Sequence, residues 1–391
     1  MRMQTLEALL KACPHAPDFI WDWWGLMNTP IGALLHQMEK IRQNPVWHGE
    51  GDVGRHTKMV CEALAADPAF RLLPERSRQE LSVAALLHDI GKIPNTKLED
   101  GQWIAPHHST TGARMARELL WKEFDLCGTA EKQSFRETVC LLIRNHMLPG
   151  HILDQTDPEN RLLRIAADKE LCHDFSIEQL CILAFADARG RIAPDVEALQ
   201  EKVALCRQEA EAVGSLNGPV TFADAYTKRA YFQGRKVWRG QSLYDDTWGE
   251  VVLLSGLPGT GKDTWIGEHA CHLPVVSLDE LRKMMRVSPA DGQGQVVQAA
   301  KLQARKYLRD QQSFVWNATN LTEAVRSKLI ELFEAYGAAV RIVYLETGWD
   351  ENLRRNAGRA DAVPERAVEE MLGKLVPPQR WEAQHVEWHC V

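Results

Sequence analysis

The stretch VVLLSGLPGTGKDTW at residues 251–265 indicates an α/β fold in the second half of the chain. An apolar, strand-like run enters a glycine-rich loop, and the lysine at the end of the loop is followed by a helical pattern. Other short apolar runs, separated by helical stretches, occur at 275–277, 313–317 and 339–346. This alternation is typical of a parallel sheet. We therefore predict an α/β domain over residues 250–391.

The first half of the chain has a helical period instead. Amphipathic runs occur at 55–66, 77–89, 110–121, 133–146, 160–172, 176–189 and 195–213. Ser176 and Gln179 form a capping-box pattern, and Gly190 fits the end of the same helix. These patterns predict an all-helical domain over residues 1–212, so the chain is multidomain.

Residues 213–249 are predicted to link the two domains, because GSLNGP at 214–219 breaks the helical pattern. The stretch 225–244 then mixes lysines and arginines with aromatic residues and contains no acid. Cations with aromatic platforms suit single-stranded nucleic acid. A solvated linker whose aromatic residues pack between domains explains the same composition.

Composition excludes several classes of protein. The 391 residues are 45% hydrophobic and 25% charged, as expected for a packed globular chain rather than a disordered one. No apolar run is long enough for a membrane span, and the N-terminus lacks a signal-type core. Nine scattered cysteines without a C-x-x-C pair favour a reducing cytoplasm. A net charge of −7 argues against a globally basic nucleic-acid-binding protein.

Histidines and aspartates are concentrated on the predicted inward faces of the first domain. His88 and Asp89 end the helical run RQELSVAALLHDIGKI, and His56 and Asp187 lie on apolar helix faces. His146 shares such a face, and His108 precedes a helix. Each residue has an ordinary structural explanation, including an i, i+4 pair of Asp187 with Arg191. Together they favour a shared cation, because burying several polar groups without one is costly.

The blocks WHGEGDVGRHT, LLHDIGK, HHSTTGA and ADARGR resemble, in order, those of the HD superfamily of metal-dependent phosphohydrolases, particularly the HD domain of bacterial CCA-adding enzymes. The resemblance implies that His56, His88, Asp89 and Asp187 bind a metal. His108 and His146 are then ligands of a second metal or phosphate contacts, and Lys92 faces the substrate. Mixed N/O ligands suit Mn, Ni, Co, Zn or Fe, which activate a bound water. The implied substrate is a 2′,3′-cyclic phosphate or phosphomonoester end of RNA.

The glycine-rich loop of the second domain fits a nucleoside triphosphate, ATP or another NTP, with Mg or Mn. Gly256, Gly259 and Gly261 allow backbone N–H groups to face the phosphates together with Thr260, and Lys262 reaches the β- and γ-phosphates. Asp263 replaces the usual Ser/Thr, so it coordinates the metal itself or through water. Thr264 then lies beside the α-phosphate, as in the loop of adenylate kinases, which this loop resembles.

The blocks after the loop resemble phage-type polynucleotide 5′-kinases. SLDELR at 277–282 resembles an acceptor block, which implies Asp279 as the base and Arg282 as a phosphate contact. WNATN is followed by Arg326, and RNAGR resembles a lid in which Arg355 and Arg359 clamp the phosphoryl group. Asp279 as a second metal-binding acid, and the lid arginines as a solvated helix face, are alternatives.

The whole chain resembles bacterial fusions of an HD phosphohydrolase and a polynucleotide kinase that heal broken RNA. The resemblance implies a multifunctional cytoplasmic enzyme that trims one RNA end and phosphorylates the other, for an RNA ligase acting in trans on tRNA-like breaks. A nucleotide-metabolism enzyme with a small-metabolite kinase is one alternative, and a non-enzymatic ATP- and metal-binding signalling module is another. Homo-oligomer formation is left open.

Overall fold

The computed structural model describes residues 2–287 and 293–391. They form two compact units, one of Met1–Cys127 and Glu131–Val220, the other of Gly128–Ala130 and Thr221–Val391. No helix in these described ranges is long and apolar enough to cross a membrane.

The first unit is helical, which confirms the predicted fold class. Its helices are Arg2–Ala12 (α1), Trp23–Met27 (α2), Pro30–Met38 (α3), Val53–Ala66 (α4), Pro68–Leu72 (α5), Glu75–Leu87 (α6), Lys92–Asn95 (α7), His108–Lys122 (α8), Ala130–Asn145 (α9), Pro158–Ala167 (α10), Ile177–Arg189 (α11) and Val196–Ala212 (α12). A short antiparallel hairpin of Lys97–Glu99 (β1) and Gln102–Ile104 (β2) interrupts them. The hairpin and α1 to α3 are absent from the predicted pattern.

Local capping explains where the central helices begin. The Asp52 carboxylate accepts a hydrogen bond from the Arg55 amide at the start of α4. The predicted box at α11 is present, because Ser176 Oγ accepts from the Gln179 amide and lies 3.3 Å from its side-chain oxygen. These caps fix the first turns of two helices that carry candidate ligands.

Two glycines allow helices to approach one another closely. A Cβ on Gly190, at the end of α11, would lie 2.6 Å from the Val60 amide nitrogen in α4. A Cβ on Gly91 would overlap the His108 carbonyl oxygen and lie 2.5 Å from the Gly112 amide nitrogen in α8. Gly190 has a φ of −81°, so close packing rather than a left-handed conformation explains it.

The second unit contains a five-stranded parallel sheet, as the fold-class prediction requires. Its strands are Glu250–Ser255 (β3), Val275–Ser277 (β4), Phe314–Asn317 (β5), Ala339–Glu346 (β6) and His385–Cys390 (β7), in the order β4-β5-β3-β6-β7. The helices of this unit are Ala225–Phe232 (α13), Lys262–His269 (α14), Leu278–Met285 (α15), Gln293–Arg309 (α16), Glu323–Glu334 (α17), Trp349–Ala357 (α18) and Glu365–Leu372 (α19). The strand β7 is not in the predicted pattern.

The central strand β3 leads directly into the glycine-rich loop and α14. Val252 and Leu254 point to one face of the sheet, where Trp265 and Ile266 of α14 pack on them. The loop is therefore held between a buried strand and a packed helix.

Residues 221–249, predicted as part of a linker, fold with the second unit. Arg229 of α13 makes a bidentate ion pair with Glu334, with N···O distances of 2.6 and 2.8 Å. Phe222, Tyr231 and Phe232 form an aromatic cluster with ring centroids 5.4 to 5.8 Å apart. Many of the basic and aromatic residues that suggest a linker therefore take part in ion pairs and aromatic packing within this unit. Trp238, by contrast, is 73% exposed.

Candidate functional site

The predicted metal ligands of the first unit converge from five helices. All are buried or nearly so: His56 in α4, His88 and Asp89 after α6, His108 at the start of α8, His146 after α9 and Asp187 in α11. Helix packing therefore brings together residues that are up to 131 positions apart in the sequence.

Asp89 is at the centre of this cluster. Its Oδ2 lies 2.7 Å from Lys92 Nζ and 3.4 Å from His88 Nε2. Its Oδ1 lies 3.4 Å from His108 Nε2 and 4.0 Å from His146 Nε2. Both oxygens of one carboxylate thus face imidazole nitrogens.

Asp187 faces the same group from α11. Its Oδ1 lies 3.1 Å from His56 Nε2 and 2.9 Å from Arg191 Nη2. The i, i+4 pair with Arg191, which offered a purely structural explanation of Asp187, is therefore present together with the contact to His56. The ion pair and a place in the cluster do not exclude each other.

Within the described part of the chain, two sets of three predicted ligands are close enough to hold a metal ion each, and His48, Glu50 and His56 form a third set of possible ligands. The ligand atoms of His56, His88 and Asp187 lie within 4.8 Å of one another, and so do those of Asp89, His108 and His146. Imidazole nitrogen with carboxylate oxygen is a donor set for transition metals.

The four histidines present the same nitrogen to the cluster. In each, Nδ1 lies 2.8 to 3.0 Å from a backbone carbonyl oxygen, that of Gly190, Ala85, Ala105 and Ile143 for His56, His88, His108 and His146. A carbonyl only accepts, so Nδ1 carries the proton. A neutral ring then directs the Nε2 lone pair to the cluster, as a metal requires.

Burial and charge shift the protonation states of the candidate ligands. Burial opposes the charged form of His56, but hydrogen bonds with Asp187 and Glu50 raise its pKa, so this ring has to release a proton when it binds a metal. Burial lowers the pKa of His146 to about 3 and also lowers the pKa of His108. Burial opposes ionisation of Asp89 and Asp187, but Lys92 and Arg191 respectively hold the pKa of each carboxyl well below its usual value. Neutral imidazoles and ionised carboxylates are the ligand forms.

Two buried atoms of the cluster lack hydrogen-bond partners within the described part of the chain. They are His88 Nε2 and Asp89 Oδ1. Leaving a buried polar atom unpaired costs about 1–3 kcal/mol. A divalent cation would satisfy both, so the residues present fit the metal that the pattern implies.

Glu50 is a member of this site that the sequence prediction missed. Its Oε1 lies 3.0 Å from His56 Nδ1 and 2.8 Å from His48 Nδ1, and its Oε2 accepts from the Ile192 amide at 2.9 Å. Burial opposes ionisation, but these hydrogen bonds hold the pKa of Glu50 well below its usual value. The H-x-E spacing of His48 and Glu50 was the available signal.

A cavity of about 320 Å³ opens beside the cluster, and Asp89, His108 and Lys92 line its inner end. Lys92 Nζ donates to Gln43 Oε1 at 2.7 Å, which holds the ammonium group next to Asp89. The predicted substrate-facing lysine therefore lies between the cluster and the cavity.

The phosphate loop of the second unit has the backbone that its glycines predict. Gly256, Gly259 and Gly261 have φ values of 148°, 85° and 82°, where side chains other than glycine are strained. Lys262 Nζ donates to the carbonyl oxygens of Gly256 and Leu257 at 3.0 and 2.7 Å. Burial lowers the pKa of Lys262 to about 8. The ammonium group is folded onto its own loop.

The residues after the lysine differ in their surroundings. Asp263 Oδ1 accepts from Asn317 Nδ2, at the end of β5, at 2.7 Å. Thr264 is exposed. Thr260 is buried, and its hydroxyl donates to the Leu257 carbonyl at 2.9 Å. Thr260 thus stabilises the loop, while Asn317 is a partner of Asp263 that the sequence analysis did not single out.

Several predicted kinase residues lie near the loop. Asp279 accepts from Arg282 Nη1 at 2.6 Å and lies 3.7 Å from Arg359 Nη2. Arg355 pairs with Glu351, and its Nη1 is 3.8 Å from where a Cβ on Gly261 would stand. A carboxylate and three guanidinium groups, each of them in an ion pair, therefore lie around the loop.

Arg326 does not face the phosphate loop with a free guanidinium group, which corrects its predicted place in the phosphotransfer site. Its side chain is fully buried, with Nε and Nη2 donating to Glu382 at 2.7 Å each. Nη1 donates to the carbonyls of Asn320 and Val376. Burial of a charged group requires such pairing, so Arg326 stabilises the fold of α17 against the C-terminal segment.

Comparison with known families agrees with the two units. Residues 52–170 match the family described as HD domain, and residues 251–378 match the family described as AAA domain. The chain thus carries an N-terminal HD domain and a C-terminal P-loop domain of the kinase-like AAA type.

A curated relative is similar over part of the chain. The "Multifunctional CCA protein" of Xanthomonas axonopodis pv. citri (strain 306) is 29% identical over 174 residues. This alignment covers 44% of the present chain and 38% of that relative, so the chain spans well under half of the relative's length. The comparisons support a hydrolase-type domain and a nucleotide-binding domain.

Proposed function

We propose that the chain heals broken RNA ends with two separate activities. The HD domain removes a 2′,3′-cyclic phosphate or a 2′- or 3′-phosphate. The P-loop domain transfers the γ-phosphate of ATP or another NTP to a 5′-hydroxyl. The observation that carries the proposal is that one chain holds both a buried His/Asp cluster with unpaired ligand atoms and a lysine-bearing phosphate loop.

For the first activity, a bound divalent transition metal supplies Lewis acidity and lowers the pKa of water. The protein's contribution is to hold imidazole and carboxylate ligands in their binding protonation states at the end of a cavity. Lys92, 2.7 Å from Asp89, offers a positive charge to phosphoryl oxygens there. Mn, Ni, Co, Zn and Fe all suit the donor set.

For the second activity, the loop glycines and Lys262 grip the triphosphate, with Mg or Mn as the accompanying ion. Asp279 accepts the proton of the attacking hydroxyl, and Arg282 binds the phosphate of the acceptor. Arg355 and Arg359 neutralise charge on the transferring group. Asp263 replaces the hydroxyl that usually meets the metal, and its bond to Asn317 orients it.

The two activities are complementary in chemistry. RNA breaks that leave a phosphate on the 3′ side and a hydroxyl on the 5′ side need both ends converted before a ligase can join them. We therefore expect an RNA ligase acting in trans as the partner, and broken tRNA as a class of substrate. We also expect a reducing compartment such as the cytoplasm, because the nine cysteines are scattered and form no C-x-x-C pair.

Product analysis of a broken tRNA tests the proposal. The tRNA, cleaved to 2′,3′-cyclic phosphate and 5′-hydroxyl ends, is incubated with protein, labelled NTP and one divalent metal at a time. We expect a 3′-terminal hydroxyl and a labelled 5′-phosphate. Conversion of free nucleotides alone, with the RNA ends unchanged, would instead favour a role in nucleotide metabolism.

A further inference from the structure

The cavity beside the His/Asp cluster has two walls made by short surface segments. One is the loop that contains Arg42, Gln43 and Trp47, and the other is the end of the β1–β2 hairpin with Trp103. The volume of about 320 Å³ is at the small end of the range for ligand pockets. A ligand of about the size of one nucleotide would fit this volume.

The walls of the cavity carry large apolar side chains that are exposed to solvent. Trp47 is 45% exposed and Met147 is 43% exposed, and both line this cavity together with the half-buried Trp103. Large exposed apolar side chains grouped at one cleft mark a binding surface. Two indole rings beside a phosphate-binding centre suit the flat face of a nucleobase.

The cavity is also lined by cations. Lys92 and Arg191 lie at the inner end and are paired with Asp89 and Asp187. Arg42 is exposed at the cavity, and its side chain makes no ion pair with any residue in the described ranges. A guanidinium group that lines the same cavity as Lys92 suits the next phosphate of a polynucleotide.

We propose that this cavity binds the 3′-terminal nucleotide of RNA, with its base stacked on Trp47 and Trp103 and the preceding phosphate at Arg42. The inference rests on the proposed function and names how the same site selects its substrate. Stacking uses the face of a base and not its edges, so all four terminal bases should be accepted.

The test compares matched substrates that differ only in the terminal base. One oligoribonucleotide ends in a nucleoside 2′,3′-cyclic phosphate, and the other ends in an abasic ribose 2′,3′-cyclic phosphate. Steady-state kinetics of phosphate removal are measured for wild type, Trp47→Ala, Trp103→Ala and Trp47→Phe. Trp24→Ala is the control, because Trp24 is 81% exposed in the same unit and does not line the cavity.

For the base-containing substrate, we expect KM to rise about 5- to 150-fold in Trp47→Ala, the equivalent of ~1–3 kcal/mol per stacked base. Trp103→Ala should raise KM in the same direction, and Trp47→Phe should keep most of the affinity because an aromatic face remains. For the abasic substrate, KM should already be high in wild type, and neither alanine variant should raise it further.

An equal loss on both substrates would overturn the inference, since it would mean that the tryptophans only support the cleft. An unchanged KM for Trp47→Ala and Trp103→Ala on the base-containing substrate would also overturn it. Failure of the wild-type protein to remove phosphate from either RNA end is a different result, because it rejects the proposed function itself.

Discussion

The metal-ligand cluster and the phosphate loop differ in how far the fold alone assembles them. In the first unit, His56, His88 and Asp89 are no more than 1% exposed, and backbone carbonyls fix the rings of the two histidines. In the second unit, the Asp279 side chain is 65% exposed, and Lys262 is bonded to its own loop.

This difference shows two ways to prepare for a charged ligand. Among the residues that the structure describes, two buried polar atoms of the cluster have no hydrogen-bond partner, and a bound cation would satisfy both. In the phosphate loop, Lys262 Nζ already donates to two backbone carbonyls. A triphosphate has to replace these two contacts before the ammonium group can bind it. The first site is preorganised, whereas the second is completed by its ligand.

Replacing Asp89 with asparagine should have the largest effect. The substitution keeps the shape of the side chain but removes the charge that faces one lysine and four imidazoles. We expect phosphate removal to fall at least about a thousandfold and bound transition metal to be lost. Kinase activity should change by less than about twofold, because its residues lie in the other unit.

End-labelled RNA and elemental analysis of the purified protein measure these effects. Asp18→Asn, at an exposed position, is the control. A variant that loses both activities while remaining folded would contradict the assignment of separate centres.

Replacing Lys262 with alanine should reverse the pattern. Loss of the ammonium group that grips the β- and γ-phosphates should reduce phosphoryl transfer by about 10²–10³-fold. Transfer of labelled γ-phosphate to a 5′-hydroxyl oligonucleotide measures the loss, with exposed Lys306→Ala as the control. Unaltered transfer would show that the loop does not bind the donor.

Replacing Gly91 with alanine tests whether the close approach of the segment after α6 to α8 is needed to form the cluster. Its φ of −66° suits alanine, but the new Cβ would overlap the His108 carbonyl. We expect a loss of about 1–3 kcal/mol in the free energy of unfolding of the first unit. Denaturant titration should show it, whereas Gly218→Ala, with no atom within 4 Å of its Cβ, should be neutral.

Replacing Glu50 with glutamine tests whether the second layer of the site orients His56. Metal affinity should fall about 10- to 100-fold while the helical content is kept. Competition with a chelating dye measures it, and Glu39→Gln, with a side chain 59% exposed, is the control. An unchanged affinity would limit Glu50 to a structural role.

The smallest effect concerns pH. With a pKa of about 8 in the free protein, Lys262 is charged below that pH and loses its proton above it. A bound triphosphate favours the charged form, so affinity should decrease as pH rises through about 8, with proton uptake on binding. Calorimetry in buffers of different ionisation enthalpy measures the uptake, and Lys262→Arg should abolish it.

The sequence predicted most of the secondary-structure elements but missed several short ones. Helices α4, α6 and α11 and strands β3 to β6 have periods and caps that can be seen in short windows. Strand β7 was missed although HVEWHC alternates polar and apolar residues, and the structure places it at the edge of the sheet. The β1–β2 hairpin was missed because its strands have only three residues each.

Among the candidate site residues, the sequence identified those on helix faces but not those whose role depends on distant contacts. His56, His88, Asp89 and Asp187 stand out because chemistry-bearing types occur on apolar helix faces. Arg326 has the right type and position in a motif, but its pairing with Glu382, 56 positions away, removes it from solvent. Glu50 was missed because its role depends on where α4 and the residues after α11 pack.

The amino-acid sequence by itself determined the two fold classes, the glycine-rich loop and the types of ligand available, because periodicity, turns and capping act over a few neighbouring residues. Tertiary structure alone decided which nitrogen each histidine presents, which carboxylate faces histidines of both ligand sets, and which arginine is buried. Those properties depend on contacts between distant segments, where desolvation makes every charge and hydrogen bond depend on its three-dimensional neighbours.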